Sequence, residues 1–113
     1  MKRTSIMQVS DIRECVLCRY EANLRNCWGD LPSKGLHRHH VMFGTANRKK
    51  SEEYGLWVWL CPSHHEFGRN AVHSGSEEGR EYDRLLRENA QMRFEELYGH
   101  EKWMEEFGKS YRG

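Results

Sequence analysis

The sequence predicts an α+β fold, in which a small β-hairpin core rich in cysteine and histidine is followed by a helical tail. Residues 36–41 are predicted as a first strand-like run, which carries a histidine pair, and residues 56–60 form a second run with the aromatic and β-branched content that is typical of a strand. A Cys-x-x-Cys pair precedes the first run, and a Cys-x-x-His pair directly follows the second. From residue 76 onward, apolar residues recur at the intervals of a helix that buries one face.

Length and composition favour one domain that needs additional stabilisation. The chain has 113 residues, which suits a single domain over 1–113, with a core at about 15–73 and a helical tail at about 76–108. Hydrophobic residues make up 37% of the chain and charged residues 31%, so the apolar core is small. A bound metal stabilises many such chains, and four cysteines and seven histidines could supply the ligands.

No segment has the pattern of a secretory signal or a membrane span. Residues 1–5 are not followed by an apolar stretch, and the longest apolar run, 56–61, is far too short to cross a bilayer. We therefore expect a cytoplasmic chain with no membrane partner. In a reducing compartment, cysteines that lie beside histidines favour metal binding over disulfides.

The net charge of +1 is unevenly distributed along the chain. Residues 1–73 contain eleven Lys and Arg against seven Asp and Glu, whereas residues 74–113 contain seven against ten. The part rich in cysteine and histidine is therefore the basic part, which suits a polyanionic partner. An excess of this size also arises by chance, so charge alone does not identify the partner.

The two ligand pairs predict one closed zinc site. Cys15 and Cys18 have the spacing with which a tight turn presents two thiolates to a tetrahedral zinc ion. Taken alone, this pair could equally be a redox dithiol or two buried cysteines, although no βαβ pattern surrounds it. Cys61 and His64 form a second pair and complete a set of four ligands. Cys27 has no partner at such a spacing, and we expect a free, partly buried thiol.

The connections around the strands are predicted from their turn residues. Residues 19–35 and 44–55 are polar and contain glycine, so both are predicted as loops. The second loop would join two antiparallel strands in a long-looped hairpin. Pro62 suits the first turn of a short helix after the second strand.

The tail is predicted as two helices that pack on the core. Ser74 or Ser76 can cap a long helix, and Gly99 is a suitable stop. A second, shorter helix would run through Trp103 to Gly108. The acidic outer faces of both helices favour a packing role over contacts with a polyanion.

Four histidines outside the zinc set are candidates for a second site. His39 and His40 are neighbours on a strand, so their side chains point to opposite faces, and one could bind a metal while the other addresses a substrate. His65 differs in direction from its neighbour in the zinc set by about 100 degrees on a helix, which leaves it free for a second metal. His73 could return to that same metal, and an ordinary surface or core histidine is the alternative.

The order of these motifs resembles that of a known enzyme family. A Cys-x-x-Cys pair, His-His-Val on a strand, and a strand that ends in Leu-Cys-x-x-His-His are similar to the pattern of HNH endonucleases, the ββα-metal group, and particularly to small zinc-stapled members of phages and prophages. The similarity covers about residues 15–73, and residues 90–111 resemble more loosely a tail of phage-type members. The resemblance implies hydrolysis of phosphodiester bonds in DNA, with a structural zinc and a catalytic divalent cation that could be Mg, Mn, Ni or Zn.

The resemblance also implies a role for each matching position. His39 corresponds to a metal ligand, His40 to the general base that activates water, and His65 to the metal ligand at the start of the family's helix. His73 is a further candidate ligand of the catalytic metal. The implied ligands of the structural zinc are Cys15, Cys18, Cys61 and His64. The candidate phosphate contacts are the basic residues Arg38, Arg48, Lys49, Lys50 and Arg69.

The sequence departs from the family at the asparagine that lies near the second strand. Gly55 and Leu56 stand near that place, and Asn47 and Asn70 are the available substitutes. An inactive zinc-stapled module that binds nucleic acid or takes part in assembly is therefore the alternative function. A third alternative, a thiol redox enzyme, predicts a reversible disulfide and no zinc.

Overall fold

The computed structural model describes residues 4–8 and 12–112 and has a mixed α/β fold with a two-stranded sheet. The elements follow in the order α1 (Val16–Leu24), β1 (His37–His40), α2 (Thr45–Tyr54), β2 (Trp57–Leu60), a single π-helical turn (Ser63–Phe67), α3 (Glu77–Tyr98) and α4 (His100–Phe107). We call Ser63–Phe67 the π-turn.

The predicted antiparallel hairpin is present, and its pairing sorts the side chains onto two faces. In the register, His39 lies opposite Val58, and His40 lies opposite Trp57. Because side chains alternate along a strand, each face carries two residues from each strand. The face toward the core carries His37, His39, Val58 and Leu60. The other face carries Arg38, His40, Trp57 and Trp59.

The N-terminal segment 4–8 covers one edge of this hairpin. The Ser5 hydroxyl donates to the Trp57 carbonyl at 2.5 Å, and the Trp59 amide donates to the Gln8 side-chain oxygen at 2.8 Å. Gly55, with φ +74, lies against this segment, and a Cβ on it would come within 2.4 Å of the Thr4 carbonyl oxygen. The segment thereby satisfies backbone groups that an open strand edge would leave unpaired.

The predicted loop over 19–35 is wrong in its first part, because α1 extends to Leu24. The sulfur of Cys15 caps this helix by accepting a hydrogen bond from the Cys18 amide, a role that a sequence pattern assigns to Ser, Thr, Asp or Asn. The buried residues Leu17 and Ala22 hold the helix on the core. Cys27 is a free thiol as expected, but it is exposed rather than partly buried.

The predicted loop over 44–55 is also wrong, because α2 occupies most of it. The helix runs between two glycines with positive φ, Gly44 and Gly55, and is built mainly from good helix formers. Its apolar periodicity is weak, so the sequence pattern does not reveal it. Ser51 is completely buried, donates to the Met42 carbonyl at 2.7 Å and accepts from the Met42 amide at 3.1 Å. This pair of bonds fixes α2 to the chain just beyond β1.

The two predicted tail helices are present and share one apolar core with the hairpin. The Ser76 side chain caps α3, and Gly99 ends it. The rings of Phe94 and Trp103 are fully buried and pack against each other, with their centroids 5.5 Å apart. Among the described helices, none combines the length and the apolar character needed to cross a membrane. The shared core is formed by Cys15, Leu17, Val41, Met42, Leu56, Val58, Leu60, Val72, Leu86, Ala90, Phe94 and Trp103.

The bonds of Ser51 predict a measurable loss of stability on their removal. Ser51→Ala leaves the amide and carbonyl of Met42 without their buried partner, which costs about 1–3 kcal/mol for each unsatisfied group. Chemical denaturation of the zinc-loaded protein should show this loss. Ser33→Ala, at an exposed position in the loop before β1, is the control. Equal stability of the two variants would contradict the anchoring role.

Candidate metal centres and active site

Three thiols and one imidazole converge where α1, the end of β2 and the π-turn meet. The His64 Nδ1 atom lies 3.5 Å from the Cys15 sulfur, 3.4 Å from Cys18 and 3.3 Å from Cys61. The sulfurs of Cys18 and Cys61 are 3.7 Å apart. The set comes from the two predicted pairs, and we call it the Cys₃His cluster.

These distances match the edges of a zinc tetrahedron. Zn–S bonds of about 2.3 Å and Zn–N bonds of about 2.0–2.1 Å give edges of about 3.8 Å between sulfurs and about 3.5 Å between sulfur and nitrogen. The observed separations fall within a few tenths of an ångström of both values. The cluster can therefore hold a metal such as zinc, and its four protein ligands would make a closed site.

A carboxylate from α1 holds the imidazole of this cluster in place. Glu21 Oε2 lies 3.1 Å from His64 Nε2 and accepts from the Tyr82 hydroxyl at 2.5 Å and from Asn70 Nδ2 at 3.2 Å. A carboxylate that accepts the second N–H of a ligating histidine fixes the ring and its tautomer. The role of Glu21 is not predicted from the sequence, because this residue lies in a segment predicted as a loop. Had this segment been predicted as a helix, the spacing of three residues would have placed Glu21 on the same face as Cys18.

Proton affinities within the cluster show how strongly its groups interact. The hydrogen bond with Cys15 raises the pKa of His64 to about 10. Burial disfavours ionisation of the Cys15 thiol, but hydrogen bonds, first of all that with His64, lower its pKa to about 7. The contact thus favours a Cys15 thiolate beside a protonated His64, and zinc would displace protons when it binds.

The π-turn directs two consecutive histidines, His64 and His65, to two different sites. The Gly68 amide donates to the Ser63 carbonyl at 2.7 Å, which closes the wide turn, and π-turns of this kind are frequent at functional sites. The chain then folds back, since the Val72 amide donates to the His64 carbonyl at 2.8 Å and the His73 amide to the His65 carbonyl at 3.3 Å. This short backbone pairing brings the His73 side chain next to His65.

The imidazoles of His39, His65 and His73 form a second group of potential ligands, the His₃ cluster. One nitrogen from each ring lies within 4.8 Å of the others. His39 is 2% exposed, and its Nε2 atom is buried with no hydrogen-bond partner among the described residues. A buried acceptor or donor without a partner is costly in a protein interior, and a bound metal would satisfy it.

Burial favours the neutral form of two of these imidazoles, His39 and His65, which can then donate a lone pair. Burial, together with repulsion from His65 and His73, lowers the pKa of His39 to about 3. Burial and His73 also lower the pKa of His65. His37, from the same face of β1, brings its Nδ1 atom to 2.9 Å from Nδ1 of His65. If Nδ1 of His65 donates to Nδ1 of His37, the lone pair on Nε2 of His65 is left for a metal.

The His40 side chain lies on the opposite face of β1 and contacts the carboxylate of Glu52 on α2. Its Nε2 atom lies 2.6 Å from Glu52 Oε2, and the second oxygen of Glu52 lies 3.0 Å from Nη2 of Arg38. The Arg38 guanidinium also stacks 3.6 Å from the centre of the Trp57 ring. The role of Glu52 is likewise not predicted from the sequence, because its segment is predicted as a loop.

One cavity of about 280 Å³ connects the two faces of the strand at its C-terminal end. It is lined by Arg38, His39, His40, Phe43, Gly44, Arg48, His65, Glu66 and His73. Both members of the adjacent histidine pair therefore reach the same space, although they leave the strand in opposite directions. This space is large enough for a small charged group together with water.

The five candidate phosphate contacts lie in three different places in the structure. Arg38 and Arg48 line the cavity. Lys49 and Arg69 are exposed. Lys50 points to the tail, where its ammonium donates to the Glu106 carbonyl and lies 3.8 Å from the Glu106 carboxylate.

No family model, curated protein or solved structure matches this chain. Function is therefore inferred from the two clusters and from the cavity.

We predict that the protein binds zinc through the thiols of the Cys₃His cluster and that zinc binding does not need the fourth cysteine, Cys27. Cys61→Ser removes one of four ligands, and because zinc binding at such sites contributes about 10–16 kcal/mol, we expect loss of both zinc and folding. Metal analysis by mass spectrometry and the thiolate absorption of the cobalt-substituted protein would measure this. Cys27→Ser, at an exposed position, should retain the metal. Equal zinc content in both variants would exclude the cluster as the site.

The His₃ cluster predicts a second, weaker site for a divalent metal. His73→Ala removes one imidazole, so nickel or zinc affinity at this site should fall by at least about 10–100-fold, the range that even outer-shell changes cause. Calorimetric titration of zinc-loaded protein would measure the affinity. His100→Ala is the matched control, since His100 is exposed and pairs with Glu95. The prediction fails if the two variants bind the second metal alike.

Proposed function

We propose that this chain is a metal-dependent DNA endonuclease of the HNH type. The observation that carries the proposal is that His40 shares one cavity with the His₃ cluster. A base and a metal centre on adjacent residues of one strand are the two parts that hydrolysis of a phosphodiester requires. The antiparallel hairpin, followed by a helical turn that carries His65, supports the HNH-type core that the motifs resemble.

The donor set supports a borderline transition metal over magnesium. Three neutral imidazoles bind Mn, Ni or Zn more readily than Mg, which prefers carboxylate and water oxygens. The partnerless Nε2 atom of buried His39 fits such a ligand role. When bound here, a divalent cation would supply positive charge for the scissile phosphate and for the leaving 3′ oxygen.

His40 is the candidate for the proton acceptor. A neutral imidazole has a lone pair that can accept a proton from water. His40 is partly exposed at the cavity, whereas His39 is buried and faces the other cluster members. We therefore assign ligation to His39 and proton transfer to His40, as the resemblance implies.

The basic residues around the cavity support a polyanionic substrate. Arg48 lines the cavity, and Lys49 follows it on the exposed surface of α2. Arg69 is exposed beyond the π-turn. These three side chains can contact phosphates on either side of the scissile bond. Lys50 is less suited to this role because it pairs with Glu106.

The alternative is an inactive zinc-stapled module that binds nucleic acid. In its favour, Asn70 donates to Glu21 beside the Cys₃His cluster, so it does not replace the family's asparagine beside His40. Against it, a structural module has no need of the His₃ cluster or of a partly exposed histidine in the same cavity. We therefore prefer the nuclease.

Cleavage of supercoiled plasmid tests the proposal. Zinc-loaded wild type should cut with added Mn, Ni, Zn or Mg and should not cut when the weaker site is stripped by a chelator. His40→Ala should cut about 10²–10⁴-fold more slowly, which is the usual contribution of a general base. His100→Ala should behave as wild type, because His100 is exposed on α4.

The two functions are separated by one further measurement on the same samples. Duplex binding at low salt without cleavage under any metal, in protein with full zinc content, would reject the nuclease and support the binding module. Cleavage by His40→Ala at the wild-type rate would reject the assignment of the base.

A further inference from the structure

The contact between His40 and Glu52 has no role in the function proposed so far. It joins β1 to α2 at 2.6 Å, and both side chains are about three-quarters buried, with 21% and 27% of their surfaces exposed. We propose that Glu52 is the positioning residue of His40, which accepts the proton on Nε2 and so fixes the neutral tautomer whose lone pair is on Nδ1. The consequence for catalysis rests on the proposed function, whereas the tautomer itself does not.

The chemistry of the two groups determines the direction of this hydrogen bond. An ionised carboxylate can only accept hydrogen bonds, so the nitrogen that faces it must carry the proton. In a neutral imidazole only one nitrogen is protonated, and the other is then the base. Pairing through Nε2 therefore leaves Nδ1 of His40 as the atom that can take a proton from water.

Arg38 holds the carboxylate in the orientation that this hydrogen bond needs. Its guanidinium pairs with the second oxygen of Glu52 at 3.0 Å and stacks on the Trp57 ring. The ion pair with Arg38 restrains the second oxygen, although this oxygen accepts no hydrogen bond from the described residues, while the first oxygen faces His40. Most exposed ion pairs lack such a second restraint and contribute little. Arg38 is accordingly part of the support of the base, and Arg48 is the better phosphate contact.

The backbone of Glu52 is also fixed relative to His40. The preceding residue, Ser51, is completely buried and bonds both the amide and the carbonyl of Met42. Met42 lies two residues after His40, so the base and its partner are anchored to the same short stretch of chain. Because both residues are already fixed, the pair loses little conformational entropy when it forms, whereas a flexible surface pair would lose more.

Glu52→Gln offers a sharp test because it should reverse the tautomer. The amide of glutamine has one acceptor oxygen and one NH₂ donor. Arg38 can only donate, so it takes the oxygen and leaves the NH₂ toward His40. His40 would then accept through Nε2 and carry its proton on Nδ1, which removes the lone pair from the nitrogen that must act as base.

Nitrogen-15 NMR of the imidazoles reads the tautomer without any cleavage assay. The spectra are recorded on diamagnetic, zinc-loaded protein at alkaline pH, and the His40 signal is the one missing in His40→Ala. We expect the Nε2–H form in wild type, in Glu52→Asp and in the control Glu53→Gln, which alters the exposed neighbour on α2. We expect the Nδ1–H form in Glu52→Gln.

Kinetics then show whether the tautomer matters for cleavage. Glu52→Gln should lower kcat about 10–100-fold, as changes to an orienting partner do, and KM should not change, since a residue that acts only through His40 does not alter DNA binding. Glu52→Asp should restore part of kcat. A lower KM with unchanged kcat in Glu52→Gln would instead mean that Glu52 merely repels DNA, and it would overturn the positioning role.

The outcomes separate this proposal from the one on which it rests. An Nδ1–H tautomer in wild type, or the same tautomer in wild type and Glu52→Gln, overturns the assignment of Glu52 whether or not DNA is cut. A reversed tautomer in a chain that cuts no DNA supports the assignment of Glu52 and rejects the nuclease. Reversal together with loss of kcat supports both.

Discussion

The Cys₃His cluster is the interaction on which the rest of the structure depends. It joins segments that are 43 to 49 residues apart in the chain, namely the start of α1, the end of β2 and the π-turn. A two-stranded hairpin is at best marginally stable on its own. Zinc binding at a site of this type contributes about 10–16 kcal/mol, whereas a whole domain is stable by only about 5–15 kcal/mol. The free energy of zinc binding at this cluster would therefore be large enough to decide whether the hairpin forms at all.

Adjacent histidines connect this structural cluster to the candidate catalytic one. His64 belongs to the Cys₃His cluster and His65 to the His₃ cluster, and they are consecutive in the π-turn. Any ligand that fixes His64 therefore also fixes the backbone of His65. The bonds from Val72 and His73 back to the same two residues extend this restraint to the third imidazole. The geometry of the second cluster thus follows from the first, which explains how a small domain holds three imidazoles close together.

The sequence predicts the parts of the fold that local patterns encode. Both strands and both tail helices were predicted because alternation, aromatic content and capping residues mark them, and the four members of the Cys₃His cluster were predicted from ligand spacing. Two helices were missed, since α1 is capped by a cysteine sulfur and α2 has little apolar periodicity. The missed helices carry Glu21 and Glu52. Residues that orient a histidine from another element leave no signal in local spacing, because only the tertiary fold brings them together.

The helical tail has a physical connection to the candidate active site through α2. Lys50 donates to the Glu106 carbonyl and approaches the Phe107 ring at 5.7 Å, so α4 packs directly on the helix that carries Glu52 and Arg48. From α3, Arg87 stacks 4.5 Å from the ring of Phe43, which itself lines the cavity. A helix of ten residues with weak amphipathicity would not hold its position by propensity alone. Its location therefore depends on Ser51 on one side and on the tail on the other, so the tail helps to hold Glu52 in its contact with His40.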